Sequence, residues 1–330
     1  MKVIQFNAYG PPDQVCECVE VDDVGAPGDG EVVVEIMASV INPADLLMIE
    51  GRYPGPDPVA QLGIEGAGRI AAVGAGVEGL AAGDKVISLE RANWAERIRV
   101  PAGRVIKVPE DLSFNDAAML KANPPSAHLM LSEYETLEPG DWVIQNAANS
   151  GVGRHVIRLA REHGIKTVNV VRREQLIDEL TGIGADVTLD DGYDQAERDR
   201  DQTGAAAAIR LAIDAVVGSA CLRLADCLSD GGTVVNYGYL SGEPCMIHPS
   251  HTIEHGITLT GFWLVGFFQT ASPTEVTAMY ADMAGKFVNG TLAVPVEATY
   301  PISDAKAALA HAMRESRDGK VIIHPNGPPD

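Results

Sequence analysis

Residues Trp142–Gly153 read WVIQNAANSGVG and run straight into RHVIRLAREHG, which ends at Gly164. An apolar run of strand length meets a turn of small residues, and the turn opens a helical pattern. The first N–H groups of a helix lack intrahelical partners, and the helix dipole puts positive charge there. Together they hold a pyrophosphate. The usual G-x-G-x-x-G is degraded here. Ala148 and Ser150 stand at the first two Gly positions, Gly153 keeps the third, and Gly151 adds another. As a bare pattern this is weak. The strand before it and the helix after it argue for a nucleotide turn; a plain βα turn is the other reading.

About 20 residues on, a NAD site usually places Asp or Glu on the ribose 2′-OH. Here the strand Thr167–Val171 ends in Arg172-Arg173, with no carboxylate until Glu174. An Arg fork pairs with a 2′-phosphate, so NADP is favoured over NAD. Two solvated surface arginines are the alternative, less expected in a chain of net charge −21.

Outward from this turn the pattern alternates. Strands are expected at Trp142–Gln145, Thr167–Val171, Val187–Leu189, Ile209–Asp214, Thr233–Tyr237 and Ile257–Phe262. Helices fall at Gly151–His163, Glu174–Thr181 and Ala220–Leu228, with earlier helical stretches around Ala117–Leu120 and Ala127–Glu133. Such alternation predicts an α/β fold with a doubly wound parallel sheet. The first ~115 residues differ. Runs such as Glu31–Val40 (EVVVEIMASV) and the Gly-dense Gly63–Val77 suggest a compact β-rich, barrel-like unit. The last ~65 residues hold helices around Thr274–Phe287 and Ser303–Glu315, and strands at Val294–Tyr300 and Lys320–His324.

A chain of 330 residues suggests about two domains, and 46% hydrophobic residues can fill their cores. The acidity repels phosphate backbones and anionic lipid, so neither nucleic acid nor membrane is an expected partner. No apolar stretch reaches the ~20 residues that span a bilayer. The opening Met1–Phe6 reads as a strand, without a signal or transit segment, and a cytoplasmic protein is expected. Five scattered Cys do not make a disulfide framework. No metal site is expected. Zinc needs three or four ligands, and between Ile41 and Gly68 there is no Cys and no His. His248, His251 and His255 could share a helical face, but Pro249 beside them favours a loop. Without a Lewis acid, hydride transfer to a conjugated C=C, or electron transfer to a quinone, still needs only cofactor, positioning and a proton donor.

Several segments in order resemble the medium-chain reductases, and within them the trans-2-enoyl thioester reductases of the mitochondrial type. They are Ile41-Asn42-Pro43-Ala44-Asp45 through Glu50-Gly51-Arg52-Tyr53-Pro54; the nucleotide turn and Thr167–Arg172; Asn123-Pro124; Gly231-Gly232-Thr233 to Tyr237-Gly238; and Gly261-Phe262-Trp263-Leu264. The resemblance implies a GroES-like β-rich catalytic domain over 1–115 and 267–330, and a Rossmann NADP-binding domain over 116–266. It implies that Tyr53 is the catalytic proton donor or enolate stabiliser; by itself Tyr53 reads as a turn residue before Pro54. It implies NADPH contacts from Asn42, Asn123, Asn149, Ser150, Gly151, Val152, Gly153, Arg172 and Arg173. Further contacts are implied from Tyr237, Gly238, Tyr239, Leu240, Phe262, Trp263, Leu264 and Lys320. Trp263 could instead be a core residue. The chain departs from the family at Glu174, where a second Arg is usual, at Tyr239-Leu240, and at Pro125-Ser126. The implied activity is NADPH-dependent reduction of the C=C bond of an enoyl-CoA or enoyl-carrier thioester. A quinone or enone reductase on the same fold, and a non-catalytic NADPH-binding protein, are the rivals. A homodimer is the family expectation.

Overall fold

The computed structural model describes residues 1–190 and 209–329. The chain divides into two units, Met1–Ala122 with Pro273–Asp330, and Asn123–Ser272. Strands are numbered in chain order among the described residues.

In the first unit, β1 (Lys2–Phe6) and β2 (Cys16–Glu20) form an antiparallel pair. The larger sheet runs β14 (Val296–Pro301), β15 (Lys320–His324), β3 (Glu31–Val40), β4 (Gly66–Val73), β5 (Lys85–Ser88), β7 (Val105–Lys107), and β6 (Arg97–Pro101) also pairs with β3. The β-branched run of β3 puts it at the centre, paired with β4, β6 and β15. One glycine sets how closely the strands meet. A Cβ on Gly68 would lie 1.9 Å from the Glu35 carbonyl oxygen, so no larger residue permits this pairing. One apolar cluster gathers Val32, Val34, Ile36, Ile70, Val86 and Ile98. A second joins Ile4, Phe6, Ile41, Ile49, Trp94 and Leu309 under β15.

The second unit is a six-stranded parallel sheet in the order β10 (Val187–Asp190), β9 (Lys166–Val171), β8 (Trp142–Gln145), β11 (Ile209–Asp214), β12 (Thr233–Asn236), β13 (Thr258–Gly261). Chain progression reverses between β8 and β11. Ligands of doubly wound sheets bind at that reversal, outside the strands' carboxyl ends. All four residues of β8 are buried, as a strand covered on both faces requires. The helix Gly151–Glu162 buries Val152, Val156, Ile157, Leu159 and Ala160.

Three local readings are revised. The stretch around Ala117–Leu120 is a short helix, Phe114–Ala117, whose N-cap Ser113 accepts from Asp116 N–H at 3.0 Å. The helix Glu174–Thr181 begins as a 3-10 turn, Glu174–Leu176, and continues as Ile177–Gly182. The expected loop around the three histidines contains the helix Pro249–Ile253. Pro249 starts this helix instead of preventing it, because an N–H at the first helical position has no intrahelical acceptor and its loss costs nothing. His251 pairs with Asp226 at 2.9 Å and His255 with Asp230 at 2.8 Å, so two separate carboxylates hold them.

Candidate functional site

At the reversal point the ends of β8 and β11 are tied by side chains. Asn146 Nδ2 donates to Asp214 Oδ1 at 2.6 Å, and Asn146 Oδ1 accepts from Ala215 N–H at 2.7 Å. The same Asp214 oxygen accepts from Val216 and Val217 N–H, both at 3.0 Å. Beyond β8, Ala147 takes a left-handed φ of 47°. Ser150 then caps the helix, its hydroxyl accepting from Gly153 N–H at 3.1 Å. That leaves the N–H groups of Gly151 and Val152 without intrahelical acceptors. A Cβ on Gly153 would meet the Ala148 carbonyl oxygen at 2.5 Å. Hydrogen at this position therefore lets the helix start against the strand end.

Two further segments carry residues expected at a cofactor. Tyr237 N–H donates to Asp214 O at 2.9 Å, and its phenol is hydrogen-bonded to the Ser150 side chain. Burial, with Asp214 nearby, pushes that phenol well above the usual tyrosine range. A Cβ on Gly238 would lie 2.4 Å from the Ala215 carbonyl oxygen. Tyr239 and Leu240 are exposed, and Leu240 N–H donates back to Ala215 O at 3.2 Å. Residues 147–153, 214–218 and 237–241 are thus brought together. Phe262 N–H donates to Asn236 O at 2.8 Å, which places Phe262-Trp263-Leu264 beyond the edge strand β13. Trp263 is 51% exposed, so it is not a core residue.

Arg172 follows β9 and is exposed. Among the described residues no carboxylate pairs with it, whereas the half-buried Arg173 is engaged. Asn123 opens the helix Asn123–Ser132, and its Nδ2 is shielded from solvent with no hydrogen-bond partner among the described residues. A buried donor left open in this way awaits an acceptor. Asn149 uses its carbonyl to accept from Arg154 Nε at 3.1 Å. The open helix N-terminus, the two glycines pressed on backbone, the orphan amide and the unpaired Arg172 fit a dinucleotide with an extra phosphate.

In the first unit, Tyr53 sits in a half-buried turn, its N–H donating to Leu47 O at 3.2 Å. Its hydroxyl has no hydrogen-bond partner among the described residues. The same loop contains Val59, a β-branched residue held at φ 76° and 67% exposed. Strain of this kind gathers at ligand-binding segments. Asn42 and Lys320 meet directly. Lys320 Nζ donates to Asn42 Oδ1, and Asn42 Nδ2 donates to Glu65 Oε1, both at 2.6 Å. Both ends of the amide are therefore assigned.

Around this amide lies an ionic cluster that was not anticipated. Asp45 accepts from Asn42 N–H at 2.8 Å and Ile64 N–H at 2.9 Å. Glu65 accepts from Ala122 N–H at 2.8 Å, beside Asn123. Lys121 donates to the carbonyls of Ile64 and Glu90 at 2.5 and 2.8 Å, and Tyr280 donates to Lys121 O at 2.8 Å. Burial raises the Asp45 carboxyl to about 7 and raises Glu65 as well. It draws Lys121 and Lys320 down to about 8. One signal for the cluster was available: Lys121 is a lone charge in the apolar run AAMLKAN, and lysine is rarely buried unless paired.

Comparison with known proteins agrees with this architecture. Residues 28–110 match the alcohol dehydrogenase GroES-like domain, and residues 151–282 match the zinc-binding dehydrogenase family. The mitochondrial enoyl-[acyl-carrier-protein] reductase of Rattus norvegicus is 33% identical over 98% of this chain and 88% of its own. The Escherichia coli quinone oxidoreductase, solved with NADPH, superposes with a TM-score of 0.89 at 25% identity, covering 98% of this chain and all of the other. Etr1p of Candida tropicalis, solved with NADP and crotonyl-CoA, superposes at 0.85 and 25% identity, covering 98% and 99%. The chain belongs to the medium-chain dehydrogenase/reductase family, among the enoyl and quinone reductases, and is an oxidoreductase. The expected pairing of a GroES-like β-rich unit with a doubly wound parallel sheet is met. Among the described residues no helix is long and apolar enough to cross a membrane.

Proposed function

We propose that the protein uses NADPH to reduce the C=C bond of trans-2-enoyl thioesters, enoyl-CoA or an enoyl-carrier thioester. The observation that carries this reading is the 33% identity to an enoyl reductase along nearly the whole chain. Tyr53, whose hydroxyl has no competing partner among the described residues, supports it.

Bound NADPH supplies a hydride for Cβ of the conjugated thioester. The N–H groups of Gly151 and Val152 would hold its pyrophosphate. Arg172 would pair with the 2′-phosphate, and Asn123 would donate its open N–H to the cofactor. Asn42, locked between Glu65 and Lys320, presents a fixed face, as do Tyr237 to Leu240 and Phe262 to Leu264. Negative charge grows on the thioester oxygen as the double bond is reduced, and a donor placed there lowers the barrier. Tyr53 donates to that oxygen or delivers a proton to Cα.

The test is NADPH oxidation by the purified protein, with crotonyl-CoA in one cuvette and a small quinone in another. Turnover with the thioester is expected. Turnover with the quinone alone moves the protein to its rival class, which the superposition on quinone oxidoreductase favours. Tight NADPH binding with neither turnover makes it a non-catalytic binder. Tyr53→Phe should lower kcat by roughly 10²–10⁴-fold while leaving NADPH affinity nearly unchanged. A cytoplasmic location and a homodimer belong to this proposal too. Cell fractionation tests the first, all the more because the Rattus norvegicus relative is mitochondrial, and sedimentation equilibrium tests the second.

A further inference from the structure

Three donor atoms outside the proposed reaction converge in the second unit. Asp214 and Cys221 are both fully buried, and Cys245 is exposed. The two Sγ atoms and a carboxylate oxygen of Asp214 all lie within 4.8 Å of one another. The fold brings them together by backbone pairing. Ser241 N–H donates to Val216 O at 3.0 Å, Gly218 N–H donates to Pro244 O at 3.1 Å, and Gly218 bridges Cys245. This zips the segment carrying Cys245 onto the chain between Asp214 and Cys221. Cys221 is the third residue of the helix Ser219–Asp226.

The carboxylate is built as a ligand. Its Oδ1 is fully engaged by Asn146, Val216 and Val217, which fix the group's orientation. Asn236 Nδ2 donates to Oδ2 at 3.3 Å, and the Cys221 thiol is hydrogen-bonded to the same carboxylate. Outer hydrogen bonds of this sort commonly hold a metal-binding carboxylate in place. The donor set is two sulfurs and one oxygen, which selects soft, borderline ions over Mg²⁺ or Ca²⁺. A divalent ion would supply the positive charge that this buried carboxylate lacks.

We propose that Cys221, Cys245 and Asp214 form a binding site for a thiophilic divalent ion of the zinc class, open to solvent at Cys245. Binding exchanges two thiol protons for the ion: two S–H bonds break, two metal–sulfur bonds form, and two protons leave to solvent. Nothing is oxidised or reduced. The ion fastens the segment 237–245 to the helix Ser219–Asp226. The site is independent of the substrate reading and stands or falls without it.

Cobalt(II) is the probe, titrated into the full chain freed of metal and kept reduced without thiol reagents. One equivalent should produce a sulfur-to-cobalt charge-transfer band, and zinc should displace it. Affinity should rise with pH, because both thiols must lose their protons. Cys245→Ser, at an exposed position that leaves the core intact, should weaken binding at least about tenfold and remove the band. Cys227→Ser should leave it unchanged. Absence of the band in the native chain overturns the proposal. So does a band that survives Cys245→Ser or disappears in Cys227→Ser.

Discussion

Arg172 is the residue on which we propose that cofactor choice turns. It is exposed, follows β9 and has no acidic partner among the described residues. A hydrogen bond to a charged group contributes about 1.5–3 kcal/mol. Arg172→Ala should therefore weaken NADPH about 10- to 100-fold in a fluorescence titration and leave NADH almost unaffected. Equal losses for both cofactors would show that Arg172 does not meet the 2′-phosphate. Asp45 makes a different prediction. Its carboxyl is raised by burial from 3.8 to about 7, although two backbone N–H groups pull the other way. The folded state thus holds this proton more tightly than the unfolded chain. That contribution is full below 3.8 and is lost as pH rises through about 7. Lys121 and Lys320, lowered to about 8, titrate mainly above this window. Asp45→Asn cannot titrate, so its Tm relative to the native protein should climb between those pH values. The corresponding gain is roughly 1–3 kcal/mol. A flat difference across the window would contradict the buried, protonated carboxyl.

At the scale of elements, the nucleotide turn depends on one close approach. A Cβ at Gly153 would press on the Ala148 carbonyl oxygen, which belongs to backbone and cannot swing away. Gly153→Ala should cost about 1–3 kcal/mol of stability, as overpacking does. It should also weaken NADPH, because the helix N-terminus moves off the strand. Thermal unfolding and cofactor titration measure the two effects. A variant with unchanged stability and affinity would mean that the turn has slack. This turn was legible because strand, turn and helix preferences all agree with their environment over Trp142–Glu162. Two of the three revised stretches were not, because capping decides them: Ser113 accepts from Asp116 N–H, and Pro249 suits a first helical position.

Across the whole molecule, legibility followed sequence distance. The parallel sheet came from local alternation, and its strand order places the reversal where the nucleotide turn had been read. The ionic cluster stayed hidden because its partners are remote in the chain. Lys320 and Asn42 are 278 residues apart, and only the pairing of β15 with β3 brings their segments together. The reason for Gly68 was equally invisible, since the atom that excludes a side chain there belongs to β3. Net charge −21 is a property of the whole surface, and against it the arginine after β9 is a local exception that an anionic cofactor needs. The role proposed for Tyr53 comes from resemblance, and the lack of a partner for its hydroxyl among the described residues supports it. The most direct measurement uses NADPH deuterated at the transferable position of its nicotinamide, with crotonyl-CoA as acceptor and mass and NMR analysis of the product. Deuterium at Cβ of a saturated thioester is the predicted result. A saturated product with deuterium elsewhere or absent, or no saturated product at all, would contradict hydride transfer to the enoyl thioester.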